Sequence, residues 1–376
     1  MKTQTTFRRS AGMSLIELMV GAAIGLIGIV IITHIYLTNE QHKRTTTAAG
    51  GAQTNGAIAL FALERDIRQA GYGLNSSYAF QCSCDMLLKP GCSAIQYYYD
   101  LKYSFPPNPD MTNSRNALTL YPFIITDAVN APDTLSVFYG SDNERSLSTT
   151  LVEDLNPVSA PIKPDGTAGF EIDNLLVLQN GADCAMFQVT GADASSLAHA
   201  PNAWNPAGGL PTFAKDTTRV FNLGSRPVWR TFNIVNGKLQ VTDQLKVLTE
   251  GAVSQDVMDG IVDLQAQYGK DTSVVPDGVV DVWTKVMPVG GPLTNFNADD
   301  VKQVIAVRLA VLARSEHYEK PGTPGGPCEA TTAANRPTWA GGGFFSLDAP
   351  GALPSCYKYR VFETVVPLRN MIWRTE

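Results

Sequence analysis

The chain has 376 residues, a net charge of −6 and a pI near 5.3, with 44% of its residues hydrophobic and 17% charged. That acidic balance lacks the basic footprint a nucleic-acid-binding surface wants, and the length beyond the first apolar segment is ample for one large or two small globular units. No Gly-x4-Gly-Lys-[Ser/Thr] phosphate loop, His-Glu-x2-His zinc helix or Gly-x-Ser-x-Gly nucleophile elbow occurs, so no catalytic constellation is expected.

Lys2, Arg8 and Arg9 precede the small residues Ser10, Ala11 and Gly12, and an apolar run then extends from Met13 to Leu37, interrupted by Glu17 and His34. About 25 helical residues reach about 37 Å, enough to cross a hydrocarbon core of about 30 Å with some tilt. The basic flank should stay on the cytoplasmic side. A charge in such a segment costs about 2.5 to 3.5 kcal/mol near the bilayer centre and less near an interface, where Glu17 would lie. An ordinary secretory signal places its small-residue cleavage site after the apolar core; here Gly12 precedes it.

The stretch Phe7-Arg8-Arg9-Ser10-Ala11-Gly12-Met13-Ser14-Leu15-Ile16-Glu17 resembles the class III signal of type IV prepilins and pseudopilins. The resemblance implies cleavage between Gly12 and Met13 by a prepilin peptidase on the cytoplasmic face, followed by N-methylation of Met13. Glu17 then becomes the fifth mature residue, where this family keeps its acid; Met in place of the more frequent Phe as first mature residue is an accepted departure. The new α-amino group of Met13 on a neighbouring subunit offers Glu17 a partner inside an apolar filament core. Without a partner the acid would be costly there, since breaking a buried pair costs about 3 to 5 kcal/mol.

Residues 45–51, Thr-Thr-Thr-Ala-Ala-Gly-Gly, are poor helix formers and predict a kink or local melting. From Ala57 a helical pattern resumes, with Leu60, Leu63, Ile67 and Ala70 in a stripe that Phe61 widens, and Glu64, Arg65, Asp66 and Arg68 mostly on the other face. That stripe reads as packing against a sheet, and Gly71 and Gly73 end it. The segment Ala57-Ile58-Ala59-Leu60-Phe61-Ala62-Leu63-Glu64-Arg65-Asp66-Ile67-Arg68-Gln69-Ala70-Gly71-Tyr72 resembles the end of the N-terminal helix in PilW-type minor pilins and, more loosely, in the larger minor pseudopilins of type II secretion.

Strands come next. Residues 134–139 and 175–178 are β-rich, the second run leading through a loop longer than two residues into a strand over 184–190. Residues 229–235 and 238–241 flank Asn236-Gly237, a two-residue hairpin turn. The run 304–314 alternates Ile305, Val307, Leu309 and Val311 against Arg308 and Arg314, as a strand with one covered face should. Residues 359–368 form the last long strand, so an antiparallel sheet packed on the upper half of the N-terminal helix is expected. Residues 306–315 and 359–370 resemble the C-terminal strands of the PilW family, whereas about 75 to 255 show little that matches it. The Gly- and Pro-rich stretches 321–327 and 340–354 predict a long loop between the last two strands.

Six cysteines, Cys82, Cys84, Cys92, Cys184, Cys328 and Cys356, all lie beyond the apolar run, and an even count in an oxidising compartment reads as disulfides. Cys328 and Cys356 flank most of the expected loop and are placed to tie it down. The other four allow three pairings; as a zinc site their spacing is wrong, and no histidine lies near the first three. Asp271, Asp277 and Asp281 outline a weak acidic calcium loop, but Val274, Val275 and Pro276 stand where a good loop offers oxygens, and a plain turn is the reading preferred. No other metal and no cofactor is expected. His34, His42, His199 and His317 read as scattered surface residues, and Tyr97-Tyr98-Tyr99 and Trp204 as packing.

Together these features predict an α+β fold: a leader at 1–12, a membrane-spanning helical part at 13–37, a periplasmic helical part at 38–73 and a β-rich periplasmic domain at 74–376 with large loop insertions. The resemblance implies a non-enzymatic minor pilin in the inner membrane, with its N-terminus cytoplasmic, that primes or caps the type IV pilus, at the tip where bulk is tolerated. Implied partners are other minor pilins, the major pilin, the prepilin peptidase/methyltransferase and the inner-membrane assembly platform. A type II secretion pseudopilin and a tip adhesin binding through the variable middle are the alternatives; a membrane-anchored periplasmic enzyme would need a catalytic cluster that is not found.

Overall fold

The computed structural model describes residues 14–73, 122–128, 131–141, 148–156, 160–180, 183–202, 204–205, 210, 212–245, 254–285, 303–319, 326–343, 345 and 354–372. One helix, α1 (Leu15–Gln69), leads into a β-rich body. Its first strands are β1 (Phe123–Thr126), β2 (Thr134–Tyr139), β3 (Thr149–Thr150), β4 (Leu175–Asn180) and β5 (Asp183–Gln188). Two short strands, β6 (Gly191–Ala192) and β7 (Leu197–Ala198), precede β8 (Arg219–Asn222), β9 (Val228–Val235), β10 (Lys238–Asp243) and β11 (Ser254–Asp259). The C-terminal part holds β12 (Ile261–Lys270), β13 (Val282–Thr284), β14 (Val304–Arg314), β15 (Tyr359–Pro367) and a single helical turn, α2 (Arg369–Ile372).

The fold class is α+β, as expected, but the strands divide among sheets. One has the order β13-β12-β14-β15, a second β1-β2-β9-β10-β11, a third β3-β8-β4-β5, and β6 pairs with β7. The upper half of α1 lies against β14 and β15, and Ala52, Ala59, Leu63, Ile67 and Ala70 join one large core with residues of the first two sheets and with Leu175, Val177 and Phe221 of the third. Leu151, Leu176, Leu178, Phe187, Leu197 and Val220 form a separate core for the inserted third sheet.

Several expectations change. α1 runs without interruption through residues 45–51, so the helix is not melted there; a glycine costs only up to about 1 kcal/mol there, less than a long helix docked at one end can absorb. The β14 strand is covered on both faces: Val307, Leu309 and Val311 meet the core under α1, while Ala310 and Leu312 pack with Trp339 and Phe345 of the long connection to β15. Cys328 and Cys356 are disulfide-bonded across 28 residues of that connection. The β4–β5 hairpin pairs Asn180 with Asp183, leaving two residues between its strands rather than a longer loop. The β9–β10 hairpin turns at Asn236 and Gly237, with φ of 52° and 74° as its two-residue turn requires.

Candidate assembly surface

The N-terminal half of α1 presents the largest uncovered apolar surface among the described residues. Ser14 caps the helix by accepting a hydrogen bond from the Glu17 N–H at 3.2 Å, satisfying one of the first-turn donors that no carbonyl reaches. From Leu15 to Leu37 the helix has a mean hydropathy of 2.6 with none of its most apolar stretch buried. Glu17 is exposed on this surface. Gly21, Gly25 and Gly28 follow it at four, eight and eleven residues, which places acid and glycines on one helical face. A side chain at any of the three glycines would meet open space within this chain, and small residues at such spacing let a second helix approach closely in a membrane. Their periodicity from Glu17 is the sequence signal that marks this face. Gly12 and Met13 lie outside the described residues.

Above this half the helix is fixed to the sheets by polar contacts as well as by its core stripe. The Asn55 side-chain amide donates to the Asp259 carbonyl at 3.1 Å. Gly56 leaves room for the Phe362 ring of β15, which a Cβ would strike. Asp66, assigned from its pattern to the polar face, is buried: Arg230 of β9 donates to it at 2.8 Å and Arg65 at 3.3 Å. Burial, and then the Asp66 carboxylate, push the neighbouring Tyr139 hydroxyl up to about 12. At the helix end the Asn370 amide donates to the Gln69 and Ala70 carbonyls. Phe61, expected to widen the buried stripe, is instead 65% exposed and shares the outer face with Ile58 and Arg65.

These contacts give α1 two roles. Its upper half is a rigid mount for the β-rich body, and its lower half is an apolar rod whose one acid needs a partner wherever water is excluded.

The other candidates fall elsewhere. Asp271 turns inward and accepts the N–H groups of Ser273, Asp277 and Gly278. Asp281 accepts from the Thr272 N–H and from the Thr272 and Ser273 hydroxyls, donors that hold its carboxyl below the usual carboxylate range. Asp277 accepts from the Val279 N–H. The loop thus closes on its own amides, and among the described residues no three His, Cys, Asp or Glu side chains are placed to hold a metal ion. Cys82, Cys84, Cys92 and Tyr97 to Tyr99 lie outside the described residues, as does the side chain of Cys184. His199 is buried rather than on the surface, with its Nε2 2.8 Å from the Ala160 carbonyl and its ring edge-on to Phe187. Trp204 packs against the main core.

Comparison with known proteins gives two matches. The family described as Type IV Pilus-assembly protein W matches residues 235–370, which hold β10 to β15. The prokaryotic N-terminal methylation motif matches residues 7–33, the segment containing Gly12, Met13, Glu17 and the glycine face. No curated protein and no solved structure matches the chain.

Proposed function

We propose that the chain, whose residues 235–370 match the Type IV Pilus-assembly protein W family and residues 7–33 the N-terminal methylation motif, is a PilW-family type IV pilin in the role of a minor pilin that assembles with other minor pilins to prime or cap the filament. The observation that carries this reading is the division of α1: Leu15–Leu37 is apolar and uncovered, while the stripe from Ala52 to Ala70 is buried under the sheets. A subunit built this way is anchored in the inner membrane by its lower half before assembly and exchanges lipid for neighbouring helices as it enters the filament. Nothing in the transfer requires bond chemistry in the body, and the family's domains are structural.

Glu17 is the group this mechanism uses. Cleavage after Gly12 frees the Met13 amine, and a Glu17 carboxylate one helical turn away on the adjoining subunit neutralises it within the helix bundle. The pair fixes axial register, because a subunit displaced by one turn leaves both charges buried without partners. The glycine face beside Glu17 allows the close helix approach that such a pair needs. Incorporation with other minor pilins is favoured by the large body on α1, which suits a position where bulk is tolerated, at the tip.

The role is tested by Glu17→Ala in cells lacking the native copy. Membrane insertion is expected to be retained, with pilus number reduced about tenfold or more, the effect of losing a charge pair of a few kcal/mol. Normal pilus number would contradict the role given to the acid. Loss of protein secretion with intact pili on deletion of the whole chain would assign it to a type II secretion system instead.

A further inference from the structure

β15 ends the sheet β13-β12-β14-β15, and among the described residues no strand pairs with its outer margin. In an antiparallel pair, residues alternate between those bonded to the neighbour and those whose N–H and C=O point away. The Leu368 N–H donates to the Ile305 carbonyl just past one end of β15, and the Ser315 N–H donates to the Lys358 carbonyl just before the other. With the unbroken register between β14 and β15, Arg360, Phe362, Thr364 and Val366 therefore bond inward, and Val361, Glu363 and Val365 point their backbone groups outward. Among the described residues no backbone group pairs with these three on that side.

Single backbone groups on three other strands have partners outside their sheets. The Ile125 N–H of β1 donates to the Tyr268 hydroxyl. Where β12 extends beyond β13, Asp133 acts as a substitute strand, its N–H bonding the Leu264 carbonyl and its carboxylate accepting the Ala266 N–H. The Asp259 carbonyl of β11 is taken by Asn55. By contrast β15 pairs over nine residues with no bulge, has no proline before Pro367, and leaves Val365 half exposed. A long regular edge of this kind is a template for another strand unless something blunts it.

Its direction restricts what can bind. Phe362 lies against Gly56 and Asn370 against Gln69, so β15 runs alongside α1, away from the apolar half. Two copies joining their β15 edges antiparallel would point their apolar halves in opposite directions, which a shared membrane forbids. We propose that β15 receives an extended strand from a different pilus-assembly subunit, running antiparallel to it and extending the sheet by one strand. The Glu363 carboxylate accepts the Ala340 N–H at 2.9 Å and stays exposed, so the incoming strand carries a basic residue that shares it, and an apolar residue beside the half-exposed Val365, the cross-strand pairing these side chains favour. This rests on the pilus-assembly reading for the partner's class, and the edge itself is continuous with the helix that the assembly uses.

The test uses the full chain in cells that make it, with a photo-crosslinking amino acid replacing Val365. Cross-linking is expected to an extended segment of another prepilin-type subunit, identified by peptide mapping. Glu363→Pro deletes one outward N–H at a position where an edge strand tolerates proline, and should lower that cross-link about tenfold; Glu363→Ala keeps the N–H and should retain most of it. Should the proline variant not fold, hydrogen exchange of the purified full chain in detergent decides: the Val361, Glu363 and Val365 amides should exchange at least about tenfold faster than those of Phe362, Thr364 and Val366. A cross-link to a second copy, to another part of the same chain, to a protein without a prepilin-type signal or to nothing overturns the proposal, as does equal protection of the two sets of amides. Glu17→Ala reports on the pilus role separately, so failure at β15 leaves that role standing.

Discussion

Asp66 and Asp133 are both buried carboxylates, held by different means. Asp66 is paired with the half-exposed Arg230 guanidinium, and removing one member of such a pair leaves the other without its counter-charge. Asp66→Ala should therefore lower stability by up to about 3 to 5 kcal/mol, measured as a fall in the denaturant midpoint of the full chain in detergent, and an unchanged midpoint would contradict the pairing. Asp133 is pushed up to about 6, chiefly by burial, against the opposing pull of two backbone N–H donors and of Lys285. Its folded value lies above the ordinary 3.8, so between the two the folded chain holds more protons and stability falls as pH rises. Relative to Asp133→Asn, the wild type should gain stability as pH is lowered through about 6 towards 4, and a difference in midpoint that does not change with pH would contradict the assignment. Neither burial is legible locally: Asp66 sits among Glu64, Arg65 and Arg68 in sequence, and its partner is 164 positions away.

Elements with clean periodicity or turn chemistry are legible in the sequence, including β2, the β9–β10 hairpin, β14, β15 and the buried stripe of α1. The missed ones are those whose apparent polarity is explained only by tertiary cover. β12 mixes Asp263, Gln265 and Gln267 with apolar residues yet is buried almost throughout, its side-chain amides finding acceptors in tertiary contacts: the Gln265 Nε2 donates to Asp263 and the Ala131 carbonyl and the Gln267 Nε2 to the Gly341 carbonyl. Two element-scale changes test this packing. Gly56→Ala gains about 1 kcal/mol of helix propensity but drives a methyl into the Phe362 ring, an overpacking cost of about 1 to 3 kcal/mol. Net destabilisation is expected, relieved by Phe362→Leu in the same chain, and a more stable Gly56→Ala protein would contradict the close approach. The Cys328–Cys356 bond closes a segment that covers the outer face of β14. Replacing both cysteines by serine should cost about 2 to 4 kcal/mol and increase hydrogen exchange around Trp339 and Phe345; unchanged exchange there would show that the segment holds its place without the bond.

At the scale of the whole molecule, the chain joins an apolar rod to a β-rich body, with α1 as the common axis. The rod and its signal can be read from the sequence, because charge, hydropathy and the position of Gly12 are local properties. The division of the body into sheets cannot, since it depends on pairings such as β2 with β9, between strands roughly ninety residues apart, and on an inserted sheet with a core of its own. The assembly role depends above all on the rod being a processed pilin helix. The most direct test is to coexpress the full chain with a prepilin peptidase and read the mature N-terminus by mass spectrometry. An N-methylated Met13 is the predicted result; an unprocessed N-terminus, or cleavage beyond Leu37, would contradict it.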